Sequence, residues 1–176
     1  MVLTQADLIT VDGIPAHPLL VHAVVVLLPL AALGGLVIAA RGSWRRRFGV
    51  AVLALTAAGV AAVPLVQKTG EQLRDALQAR LPAGVPLNPA IQEHANLGDG
   101  LLPFALAFGV AVVLLVVAGR LADRERDAGE PRTTTWRRVA IVAAALVAFS
   151  GVATTVQVVR IGHTGSTAVW QGVGGK

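Results

Sequence analysis

Four histidines, His17, His22, His94 and His163, are the residues of this chain best suited to chemistry. Neutral imidazole is the commonest biological metal ligand and the side chain that titrates nearest neutral pH, so converging histidines point to an iron or other metal ion, a haem, or protons. Other polar groups stand close by in the sequence. Glu93, Asn96 and Asp99 surround His94, where a carboxylate would orient an imidazole through its second nitrogen, pair with Arg160, or meet water. Ser150, Thr154, Gln157 and Ile161 follow an i, i+4, i+7, i+11 path that climbs toward His163, a stripe that belongs in a bundle interior.

Other chemistries find little support. The chain has no cysteine, which excludes disulfides, thiolate metal sites, iron–sulfur ligation and nucleophilic thiols. Ser43 and Ser166 have no evident triad partners, and His94 beside Glu93 defines no reaction by itself, so an electron-transfer or structural component is expected rather than a catalyst.

Spacing leaves the pairing of the histidines open. His17 precedes Pro18, a good first helical residue, and can serve as a cap, whereas His22 points from the second turn at another azimuth. Two ligands from one helix are therefore disfavoured. Pairs that span a bundle, such as His22 with His94 or His17 with His163, match the way cofactor sites form between facing helices.

The elements that must carry these residues are membrane helices. Of the 176 residues 55% are hydrophobic and 14% charged, and the mean hydropathy is +0.68. Apolar runs at residues 18–40, 48–66, 101–119 and 139–159 are each near the roughly 20 residues that span a hydrocarbon core. The expected fold is a single all-α domain, a polytopic four-transmembrane-helix bundle in a lipid bilayer. Small residues at four-residue spacing, Ala31, Gly35 and Ala39 and then Ala105 and Gly109, would let its helices approach closely.

Ten of the fifteen basic residues lie in the two short connections at residues 41–47 and 120–138. The positive-inside rule makes these cytoplasmic, so both termini and the connection at residues 67–100 face outward across the inner membrane. Trp44 and Trp136 then serve as interfacial anchors. Residues 1–16 hold Asp7 and Asp12 but no basic residue, the reverse of a signal peptide, so the first span is expected to be retained. The net charge of +5 is thus explained by topology, and no basic soluble face for nucleic acid is present.

Within residues 67–100, Leu73, Ala76, Leu77 and Arg80 predict a short amphipathic outer helix over 71–81, ended by a turn through Pro82, Gly84 and Pro86. Asn88-Pro89 reads as a cap and first-turn proline, so the third helix is expected to begin near Pro89, carrying His94 to the membrane boundary.

The segment Gly13-Ile14-Pro15-Ala16-His17-Pro18-Leu19-Leu20-Val21-His22 resembles the opening G-x-P-x-H-P-x-x-V-H signature of the bacterial membrane proteins catalogued as domain of unknown function 2231. His94-Ala95-Asn96-Leu97-Gly98 is similar to that family's central histidine motif, and residues 162–174 to its closing G-H-x-G segment. Ala23, Ala168 and Trp170 depart from its usual aromatic, leucine and tyrosine. Relatives that look fused to Rieske or cytochrome c modules imply a place near electron transfer.

Residues and resemblance together lead to a redox-associated membrane subunit holding a b-type haem on its outer face. Two of His17, His22, His94 and His163 would ligate iron, Arg160 would meet a propionate, and Glu93, Asp99 or Gln157 would tune the ligands. A periplasmic or membrane redox partner would follow. The alternative is a non-catalytic scaffold whose histidines contact a partner. A metal- or proton-linked transporter is disfavoured because no acidic residue lies in the middle of any span.

Overall fold

The computed structural model describes residues 8–128 and 134–170. Its helices are α1 (Ala16–Ala40), α2 (Gly42–Ala79), α3 (Pro89–Asp99), α4 (Leu101–Asp127) and α5 (Thr134–Trp170). The described residues contain four spans long and apolar enough to cross a membrane, α3 and α4 forming one of them. The polytopic four-helix membrane bundle expected from the hydropathy pattern is therefore the observed fold.

A two-residue antiparallel hairpin, β1 (Thr10–Val11) with β2 (Ile14–Pro15), precedes α1. Asp12 and Gly13 form its turn with φ of 50° and 79°, the left-handed values that a tight hairpin turn requires. Ala16 N–H donates to the Ile9 carbonyl at 2.8 Å, tying this hairpin to the start of α1.

A single residue joins the first two helices where a loop over 41–47 was expected, and a single residue interrupts the third helix, which was expected to run unbroken from near Pro89. Only Arg41, in extended conformation at φ −137°, separates α1 from α2, and only Gly100 separates α3 from α4. The second helix also runs farther than its apolar core. Its 38 residues extend about 57 Å at 1.5 Å per residue, nearly twice the roughly 30 Å of a hydrocarbon core. Residues 71–81 thus form no separate interfacial helix. They are mostly the last turns of α2, because nothing between Pro64 and Pro82 breaks the helical hydrogen bonding. In the same way α5 continues past residue 159 to Trp170, so His163 lies within the helix.

The start of α3 is as expected: Asn88 accepts a hydrogen bond from Ala90 N–H through its side chain at 2.9 Å, and Pro89 needs no donor in the first turn.

Two apolar clusters fill the bundle. One surrounds Phe108 with Ile38, Val112, Leu115, Val116 and Val147, and the other joins Val24, Leu28, Val63, Leu101, Ala105 and Val158. Of the expected small contact residues, Ala31, Gly35 and Ala105 are buried. Large apolar side chains also cover the outside, with Leu33 61% and Phe149 77% exposed, as suits a protein whose solvent is lipid.

The two ends of the bundle differ in character. At the arginine end, Arg45 and Arg46 of α2 approach Asp123 of α4 at 3.7 and 3.2 Å, and the Arg45 and Asp123 side chains are largely buried. At the opposite end lie the histidines.

Candidate functional site

His17 is the second residue of α1, and its side chain does not cap its own helix. Instead its Nδ1 lies 3.1 Å from the Val66 carbonyl of α2. His94, in the middle of α3, makes the matching contact, with Nδ1 at 2.9 Å from the Ile161 carbonyl of α5. A carbonyl only accepts, so each Nδ1 carries the ring proton. In the neutral imidazole, Nε2 then keeps its lone pair, the tautomer a metal ligand needs.

The two rings come together at the histidine end. Their centroids are 6.1 Å apart and their planes meet at 80°. Each ring also rests against a glycine of the helix that supplies its carbonyl. A Cβ built on Gly70 would stand 2.9 Å from His17 Cε1, and one on Gly165 would stand 2.9 Å from His94 Cε1. Only a residue without a side chain leaves room for an imidazole this close to the helix.

The helix carrying His94 is held from two sides. Pro103 has no N–H, so the Asp99 carbonyl four residues earlier loses its helical donor. Gln67 Nε2 of α2 donates to that carbonyl at 3.2 Å and to the Gly98 carbonyl at 2.9 Å. Gln157 Nε2 of α5 donates to the Leu97 carbonyl at 3.0 Å. Side chains from two other helices thus satisfy the last carbonyls of α3, which would otherwise be costly to bury.

The remaining candidates fall elsewhere. His22 is exposed and its Nδ1 turns back to the Pro18 carbonyl of its own helix at 2.6 Å. His163 is exposed on α5. Arg160 is exposed and lines a recess with Phe104, Phe149, Val156 and Gln157. Glu93 and Asp99 are exposed, and main-chain carbonyls rather than these carboxylates hold the two Nδ1 atoms. The pair assembled by the fold is therefore His17 with His94, neither of the pairs that spacing favoured.

The polar stripe of α5 faces inward at Thr154 and Gln157. Both are buried, and Thr154 Oγ1 donates to the Phe104 carbonyl of α4 at 3.1 Å. Gln67, the Thr69-Gly70 step and the Thr164-Gly165 step did not stand out in the sequence as site residues. For the two Thr-Gly steps the signal was their recurrence late in two spans, each time three and four residues after the carbonyl that accepts from a histidine.

Among the described residues no group of three or more His, Cys, Asp or Glu side chains is placed to hold a metal ion. What the site offers is two imidazoles, suited to a metal whose other positions are filled by something besides the chain. The 6.1 Å centroid separation and 80° angle are those of an edge-to-face ring contact, and they bring the two imidazoles close enough for both to reach one ligand atom.

A family model described as "Predicted membrane protein (DUF2231)" matches residues 13–176. No curated protein and no solved structure matches the chain.

Proposed function

The chain belongs to the DUF2231 family of predicted membrane proteins, and we propose that within it this protein is a redox-associated inner-membrane subunit in which His17 and His94 ligate a b-type haem iron. The supporting observation is the pair itself: two imidazoles from different helices, 6.1 Å apart, with both Nδ1 atoms engaged by carbonyls. The donor set favours haem over a bare ion, because a porphyrin brings four nitrogens of its own and His17 and His94 would be the two ligands that the chain supplies.

A bound haem would supply a one-electron couple. The chain's residues prepare for it. The Val66 and Ile161 carbonyls fix ring tautomer and orientation, and Gln67 and Gln157 hold α3 so that His94 stays opposite His17. We place the arginine end in the cytoplasm by the positive-inside rule, which puts this pair on the outer face, where a periplasmic or membrane redox partner would reach it.

A second reading has its own support. Ile9, Val11, Ile14, Val169 and Trp170 are exposed apolar residues from the two sequence segments nearest the histidine end, a surface that also suits a non-catalytic scaffold for another membrane or periplasmic protein. Haem titration of the purified protein in detergent separates the two. Saturation at one haem per chain supports the redox reading, and no saturable binding supports the scaffold.

A further inference from the structure

The Val66 and Ile161 carbonyls each receive a second side-chain donor. Thr69 Oγ1 donates to the Val66 carbonyl at 3.0 Å, and Thr164 Oγ1 donates to the Ile161 carbonyl at 3.0 Å. Each hydroxyl also lies near the carbonyl one residue earlier, Leu65 at 3.1 Å and Arg160 at 3.2 Å. Glycine follows each threonine and lies under the histidine ring. Two helices far apart in sequence thus present one arrangement: a carbonyl at i that accepts from histidine, a threonine at i+3 sharing that carbonyl, and a glycine at i+4 against the ring.

The histidines occupy matching places too. His17 opens the helix that pairs with α2 in the first half of the chain, and His94 lies on the helix that leads into α4, the partner of α5 in the second. The halves run in the same direction through the bundle, the arrangement of a parallel repeat about an axis along the membrane normal. The two rings, one from each half, meet at the histidine end of the bundle.

We infer that the site is a duplicated half-site, and that Thr69 and Thr164 are positioning residues that set the donor strength of the two histidines. This rests on the haem reading above. A carbonyl that accepts Nδ1–H draws the proton toward itself and leaves the imidazole more electron-rich, which favours the oxidised metal. A hydroxyl bonded to the same oxygen takes part of its electron density and moderates that effect. Threonine hydroxyls bond to their own helix elsewhere as well, as Thr56 does to Val52 and Thr155 to Gly151. Those carbonyls hold no imidazole among the described residues, so the two sites differ from ordinary back-bonding in what else the oxygen carries.

The test has two arms on the full chain. In haem-free protein, nitrogen-15 NMR of the histidines should show the Nδ1–H tautomer for His17 and His94, read as the neutral rings. In haem-loaded protein, redox titration should give a lower midpoint potential for Thr69→Val and for Thr164→Val, a larger drop for the double variant, and recovery with Thr69→Ser and Thr164→Ser. Thr155→Val should leave the potential unchanged. Haem retained at an unshifted potential in both single variants would overturn the positioning role while leaving the haem reading intact. An Nδ1–H tautomer without any haem binding would leave the half-site geometry standing and overturn both the haem reading and the tuning role.

Discussion

Gly165 and His94 touch so closely that a Cβ on the glycine would lie 2.9 Å from Cε1 of the ring. The contact involves the helix that also supplies the Ile161 carbonyl, so the hydrogen bond and the glycine surface both meet the Nδ1–Cε1 edge of the ring. Gly165→Ala must push the imidazole away. Overpacking of this kind costs about 1–3 kcal/mol. We expect a loss of thermal stability in that range, together with a changed haem spectrum on the haem reading proposed above, and the same for Gly70→Ala at His17. Melting in detergent and absorbance on the same samples check both effects.

Gln157 is 7% exposed and reaches across to the Leu97 carbonyl. Gln157→Leu removes a buried side-chain donor from that carbonyl. Interhelical hydrogen bonds in membranes contribute about 0.6–2 kcal/mol, so the stability loss should fall there. Gln67→Leu should be similar or larger, because Gln67 serves two carbonyls of α3. Chemical unfolding in mixed micelles measures both.

At the arginine end, Asp123 faces Arg45 and Arg46, and the Arg45 and Asp123 side chains are only 13% and 15% exposed. Removing the acid leaves a buried arginine without its counter-charge, a change that costs about 3–5 kcal/mol for a fully buried pair and less for this partly buried one. Asp123→Ala should therefore destabilise the bundle strongly. Asp75→Ala, which breaks the exposed Arg74–Asp75 pair, should cost less than about 1 kcal/mol. Equal losses in the two variants would contradict this account of the arginine end.

Topology is tested on a chain with no native cysteine. A cysteine at position 84, in the turn after α2, should react with a membrane-impermeant maleimide in intact cells. A cysteine at position 43 should react only after permeabilisation. The reverse pattern would turn the molecule over in the membrane.

The four spans were legible because a run of apolar residues of spanning length has few alternatives, and the start of α3 because Asn88-Pro89 is a strong local signal. The length of α2 was not. Hydropathy falls at Gln67, but main-chain hydrogen bonding depends on the absence of breakers and continues to Ala79. The histidine end was legible as a region and illegible as a site. That His17 meets His94 depends on how the two hairpins pack around a shared axis, and no local pattern records those azimuths. The repeated Thr-Gly step was present in the sequence, but only the carbonyls it surrounds give it meaning.

The most direct test is the oxidised and dithionite-reduced absorption spectrum of the purified protein and its four single histidine-to-alanine variants after haem-replete expression. The bis-histidine account predicts a Soret band and a sharp reduced α-band in the wild type, both retained in His22→Ala and His163→Ala and lost in His17→Ala and His94→Ala. A colourless wild-type protein, or an unchanged spectrum in both His17→Ala and His94→Ala, would contradict it.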